Sequence, residues 1–174
     1  GVAWRRRPIS RERDGGYRIE LDPEVVDLLA ELAGQLDPLL DDPSADAGLR
    51  RLFPPAHPDD LMAEAAWQIE RGEELRDSRR RALDVVRTAG EHMSEDELIA
   101  WVQGVNGLRL VLAERLDVDG DDHDDEERID RLLAAAEDDD ADDEVREAAR
   151  TRLAMWQVYD LLGGLVAHAV RALD

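Results

Sequence analysis

From Asp22 onward the apolar residues recur three and four positions apart, the spacing that gathers them on one face of an α-helix. Asp22-Pro23 supplies a cap and a residue pre-set for a first turn, and Val25, Val26, Leu28, Leu29, Leu32, Leu36, Leu39 and Leu40 then predict a helix to about residue 40. Residues 41–57 carry three of the chain's prolines and read as mostly loop, with one turn allowed at 49–53. Pro58-Asp59-Asp60 opens a helix bearing Leu61, Ala65, Trp67 and Ile69, which Gly72 ends or kinks; residues 73–88 form the next piece. Ser94-x-x-Glu97 is a capping box that starts a helix to about Leu116. A short helix over 129–136 and a long one over 144–173 follow. Before all of these, the β-prone runs 2–7 and 17–21 flank Gly15-Gly16 and predict a hairpin. The fold class expected is all-α, a bundle of about five or six helices with a short N-terminal β-hairpin. Residues 1–174 form one domain, in which 1–21 is the basic hairpin and 117–144 an acidic, partly mobile segment.

The last helix departs from the simple amphipathic pattern. Its first half is one-sided, but from Leu153 on apolar residues point in nearly every direction, so neighbours or a second chain must cover it. Gly163-Gly164 in its middle either kinks it or admits another backbone. Gln157, Asp160, His168 and Arg171 interrupt the apolar run, and the expectation is no membrane span.

Charge narrows the chemistry. The chain has 43 acidic residues against 22 cations, a net charge of -21, and every one of those cations is Arg. Without Lys there is no Schiff-base amine and no phosphate-binding lysine of a P-loop; without Cys there is no thiolate nucleophile, disulfide or iron–sulfur cluster. Such an acidic surface repels a phosphate backbone, so no nucleic-acid partner is expected despite the six Arg among the first eighteen residues. Sixteen acids against two Arg fill residues 117–144, read as a solvated stretch of mutual repulsion. The polar residues after Trp4 do not continue as a signal-peptide core, and a cytoplasmic protein is expected.

Carboxylates and four His remain for metal chemistry. No Glu-x-x-His, His-Glu-x-x-His or Gly-x-Ser-x-Gly occurs. Asp117, Asp119 and Asp121 alternate like the start of a calcium loop, yet Gly120 comes too early for the glycine of such a loop. Glu70, Glu73, Glu74 and Asp77 lie at helical spacing and form the alternative metal site, of the kind a Mg²⁺ or Mn²⁺ hydrolase of nucleotide-pyrophosphatase type uses. A solvated face interleaved with Arg71, Arg76, Arg79 and Arg80 explains the same cluster. No cofactor is expected.

Three strings carry a family resemblance: Arg50 to Asp60 (Arg-Arg-Leu-Phe-Pro-Pro-Ala-His-Pro-Asp-Asp), Trp101 with Asn106, Arg109 and Leu110, and Tyr159-Asp160 ahead of Gly163. Together with the basic hairpin and Leu-rich first helix, they resemble the actinobacterial domain of unknown function number twenty-seventeen. The resemblance implies no activity; it suggests a place near the adaptor of the Clp protease and hence a link to proteolysis. This chain departs from the pattern at His57, Gly107 and Gly164.

Physically, Arg51, Asp59, Asp60, Asn106, Arg109, Tyr159 and Asp160 come from three stretches that meet where the Pro-rich loop crosses the bundle. Phe53, His57 and Trp101 complete the candidate set. They form either a network that fastens the loop or a pocket for a ligand or partner. The expected function is a non-enzymatic protein-interaction or regulatory module with no catalytic residues. The expected assembly is a homodimer through the C-terminal helix or the hairpin, with a Clp-pathway protein as the partner the resemblance suggests.

Overall fold

Apolar alternation near the N-terminus does produce a hairpin, but later in the chain than the pattern predicts. The computed structural model describes residues 7–174. Strand β1 (Ile9–Arg11) pairs antiparallel with β2 (Tyr17–Ile19) in the register Ile9↔Ile19 and Arg11↔Tyr17. Gly15 turns the chain at φ 90°, a conformation that suits glycine. Of the predicted first strand over 2–7, residues 2–6 lie outside the described residues, as does Trp4, and Arg7 precedes β1. The pairing is set by burial: Ile9, Tyr17 and Ile19 share the face that packs on the helices. A third strand, β3 (His92–Met93), pairs with β2 through Tyr17↔Met93 and gives the hairpin the extra strand it needs.

Helix α1 (Pro23–Leu36) stops four residues before the predicted end and tightens into a 3-10 turn at Asp37–Asp41. Pro38 is the reason, since it lacks the N–H that would donate to the Gly34 carbonyl and its ring crowds that carbonyl. Two more 3-10 turns, Pro43–Ala45 and Ala47–Leu49, carry the chain across the bundle. Helix α2 (Leu61–Thr88) then runs unbroken through Gly72, against the expected break. One glycine costs only about 1 kcal/mol in a helix interior, less than the strong helix formers around it supply. Helix α3 (Glu95–Arg115) starts on the full capping box, Ser94 Oγ accepting from Glu97 N at 3.1 Å and Glu97 Oε1 accepting from Ser94 N at 3.2 Å.

Helix α4 (Asp122–Ala136) begins seven residues earlier than predicted. Asp121 accepts from the amides of His123 and Asp124, and Asp122, Asp124 and Asp125 occupy the first turn, where a helix is electropositive. Charge expected to melt the segment instead sits where it favours helix. Helix α5 (Asp143–Leu173) is continuous through Gly163-Gly164 and packs against α3 and α4. Among the described residues it is the one helix long and apolar enough to cross a membrane by length and composition.

The main core lies where α1, α2, α3 and α5 meet the inner face of the sheet, and contains Leu29, Leu36, Leu83, Leu98, Trp101, Val105, Leu162 and Leu165. A smaller cluster of Ala113, Leu116, Val118 and Trp156 receives Ile129 and Leu132 and so holds α4 onto the middle of α5. Helices α2 and α3 are joined by a short connection and lie antiparallel, with Gly104 against Ala82 and Val86. From that crossing, eleven residues of α3 reach roughly the level of residue 73 on α2. The first three turns of α2 therefore extend past the end of α3.

Candidate functional site

The segment from Asp37 to Phe53 is held across the bundle by arginines from the helices beneath it. Arg80 donates to Asp37 Oδ1 at 3.0 Å, the Asp37 carbonyl at 3.0 Å and Asp41 Oδ1 at 2.9 Å. The hydrogen bonds to Asp41 and then Asp37 raise the Arg80 pKa, keeping the guanidinium charged. Arg115 reaches Asp46 Oδ2 at 3.1 Å, while the other Asp46 oxygen accepts from Gly48 N at 2.7 Å. Arg79 donates to the Leu52 carbonyl at 3.4 Å, and burial lowers its pKa because water no longer solvates the charge. Arg51, from the segment itself, reaches Glu114 Oε2 at 2.8 Å and the Val118 carbonyl at the end of α3.

The candidate network divides into separate parts. Arg109 Nε and Nη2 both donate to Asn106 Oδ1, at 3.0 and 2.9 Å, and its guanidinium lies 5.8 Å from the centre of the Tyr159 ring. Tyr159 meets Trp156 edge-on, with ring centres 6.0 Å apart. A side chain on Gly163 would touch Arg109 Cδ at 3.8 Å, so glycine there leaves the arginine room. Arg51 is fastened to Glu114 and not to this group. Asp60 caps α2, accepting from Ala63 N at 3.1 Å, whereas Asp59, His57 and Asp160 are exposed. Phe53 is half-buried against the main core and Trp101 is buried within it.

The alternative metal ligands Glu70, Glu73, Glu74 and Asp77 are all exposed on α2, and Glu74 pairs with Arg71 at 3.3 Å. Carboxylates that do come within 4.8 Å of one another are those of Asp119, Asp124 and Asp125. Arg128 occupies their centre, 3.2 Å from Asp124, 3.8 Å from Asp125 and 4.0 Å from Asp119, and also donates to the Leu116 carbonyl. Asp125 has its pKa raised, first by burial and then by the neighbouring acids, against the lowering effect of Arg128. A guanidinium already balances this cluster.

The strongest departure from ordinary surface chemistry is on the projecting start of α2. Leu61 is 85% exposed, Met62 79% and Ile69 83%, the three most exposed large apolar side chains among the described residues. With Ala65 they form a stripe at i, i+1, i+4 and i+8, all on one side of the helix. Three and seven residues beyond Ile69, Gly72 and Arg76 line a cleft of about 750 Å³ whose other wall is the 3-10 segment with Asp42, Asp46, Leu49 and Phe53. The stripe thus leads into the cleft. Farther along the helix, Leu83 and Val86 enter the core. The spacing of Leu61, Ala65 and Ile69 was legible as an apolar helix face; that no described element covers it depends on where α3 ends, which helical periodicity does not reveal.

By its architecture the protein is a helical bundle with a small antiparallel sheet, carrying an uncovered apolar helix face and, among the described residues, no converging set of catalytic groups. The model of the family described as domain of unknown function (DUF2017) matches residues 5–173, and the chain belongs to that family. No curated protein and no solved structure matches the chain.

Proposed function

We propose that the chain is a non-enzymatic protein-interaction module whose contact surface is the projecting start of α2 and the cleft it leads into. One observation carries this: three large apolar side chains, each about four-fifths exposed, stand on one side of a capped helix within its first three turns. Singly exposed apolar residues are ordinary, but contiguous exposed apolar area marks interaction sites. The well-anchored groups Arg51, Arg80 and Arg115 support the reading from the other side, because their hydrogen bonds go to the protein's own residues and hold the cleft wall in place.

The hydrolase reading has less support, since its four acids are all exposed on one helix and, among the described residues, belong to no cluster of converging carboxylates. Proteolysis of the Clp type is the setting we propose for the partner, on the family resemblance alone. Self-association through α5 is a separate proposal; it draws support from Val170, which is about half-exposed near the C-terminal end of that helix.

Site-specific photo-crosslinking tests the interaction reading. A benzoylphenylalanine at position 62 or 69, activated in the native host, is expected to give a discrete adduct that the same group at position 133 or 145 does not. Equal yields from all four positions would refute it.

A further inference from the structure

We infer that the partner seated on the α2 stripe is a cationic amphipathic helix, which lays its apolar face along Leu61, Met62, Ala65 and Ile69. This inference rests on the interaction reading above and adds the chemistry of the occupant.

The shape of the surface comes first. From Leu61 to Ile69 the stripe spans about 12 Å, and on to Arg76 in the cleft about 22 Å, or roughly four helical turns. Side chains at i, i+4 and i+8 present a straight apolar ridge, the complement of a helix carrying its own anchors at i, i+3 and i+7. Ala65 and Ala66 lie between the large anchors and let a second backbone come close.

Charge then selects among occupants. Asp59 and Asp60 precede the stripe and Glu64 and Glu73 border it, against Arg71, and in the cleft Asp41, Asp42 and Asp46 outnumber Arg50 and Arg76. Arg71 is itself engaged with Glu74 at 3.3 Å. A second copy of the chain docked here in antiparallel fashion would bring this acidic rim against its own image. With each chain at -21, that arrangement sets like charges against each other at contact. A polar face of Lys and Arg on the partner would meet the rim with opposite charge, which both steers encounter and fixes orientation. An acidic helix, or a nucleic acid, meets repulsion.

Fluorescence anisotropy with three synthetic helices of about 18 residues, on the order of 27 Å long, tests the inference. All three share one Leu face and differ in carrying Lys, Gln or Glu on the polar face. At about 0.15 M salt, where distant charges are screened, the Lys helix is expected to bind at least tenfold more tightly than the Gln helix, with no binding of the Glu helix. The uncharged double substitution Met62→Ser/Ile69→Ser is expected to weaken the Lys helix about tenfold or more, because it removes two central anchors. The control Leu133→Ser/Val145→Ser, on another face, is expected to leave it unchanged.

If the Gln helix binds as well as the Lys helix and the stripe substitution weakens both, the charge inference falls and the interaction reading stands. Sedimentation showing a dimer that Met62→Ser/Ile69→Ser dissolves would overturn the inference in favour of a second copy. Lys-helix binding that ignores the stripe substitution would show attraction to the acidic surface at large and overturn it. Absence of binding by any helix, with no adduct from positions 62 and 69 in the host, would overturn both.

Discussion

Gly104 sets how closely α2 and α3 approach, and placing a methyl group there is a calculable perturbation. A Cβ at this position would lie 2.6 Å from Val86 Cγ2, 2.8 Å from the Ala82 carbonyl oxygen and 3.1 Å from its carbon. Val86 can rotate away. The Ala82 carbonyl cannot, because it belongs to the helix backbone, so the two helices must separate by several tenths of an ångström. Overpacking of this kind costs about 1–3 kcal/mol, and the backbone contact places Gly104→Ala toward the upper end. Replacing a mid-helix glycine by alanine returns about 1 kcal/mol of helix propensity. The net expectation is a loss of about 1–2 kcal/mol, a fall in Tm of roughly 3–6 °C for a chain of this size. Gly34 in α1 is the internal control, because a Cβ there meets no atom within 4 Å. Gly34→Ala should therefore raise stability by up to about 1 kcal/mol. Urea titration followed by circular dichroism reads both changes as midpoint shifts at constant slope. If Gly104→Ala proves as stable as the parent while Gly34→Ala is stabilised, the close α2–α3 contact is not what glycine at 104 serves.

Two further outcomes follow from the charged groups. Arg51→Met removes the bonds to Glu114 and the Val118 carbonyl, and with both carboxylate and guanidinium partly solvated the loss should be about 1–2 kcal/mol; a double-mutant cycle with Glu114→Gln should recover a coupling of about 1 kcal/mol, and additive effects would contradict the pairing. Asp125 has a raised folded-state pKa, so its charge works against folding above the unfolded carboxylate range and this cost disappears as pH falls through that range. Asp125→Asn should accordingly match or exceed the parent's Tm at pH 7, with any gap closing near pH 4; a variant clearly less stable at pH 7 would show that its contact with Arg128 outweighs desolvation.

Legibility of the fold followed the strength of local signals. Asp22-Pro23 and the Ser94–Glu97 box located the starts of α1 and α3 because a cap is a local arrangement that depends on a few neighbouring residues. Gly72 misled, since a single glycine is a weak breaker inside Arg- and Glu-rich helix. The acids of 121–125 misled for the opposite reason: their mutual repulsion is readable from composition, whereas their favourable place at a helix N-terminus depends on where the helix begins. The hairpin shifted because two strands of three residues are chosen by which side chains the bundle buries. Within the candidate site, Asn106 and Arg109 come together as an i, i+3 pair, which spacing alone predicts. Arg51 goes instead to Glu114, a partner sixty-three residues away that only the tertiary path supplies.

The projecting start of α2 also has to be explained as a helix, because a segment with so little burial ordinarily frays. A helix of this length in isolation is marginal, and the main obstacle is nucleating its first turn. Here the buried half, with Ala82, Leu83 and Val86 in place, already provides the nucleus, and each earlier residue extends an existing helix. Asp60 caps the far end at Ala63, Glu64 accepts from the Ala56 amide at 2.8 Å, and Arg71 pairs with Glu74 one turn on. These local bonds restrain the backbone without covering Leu61, Met62 or Ile69. The stripe is consequently helical before anything binds, and a partner docking on it need not order this chain's backbone. A flexible loop carrying the same three side chains would have to be ordered on binding, at a cost that would absorb much of what their burial contributes.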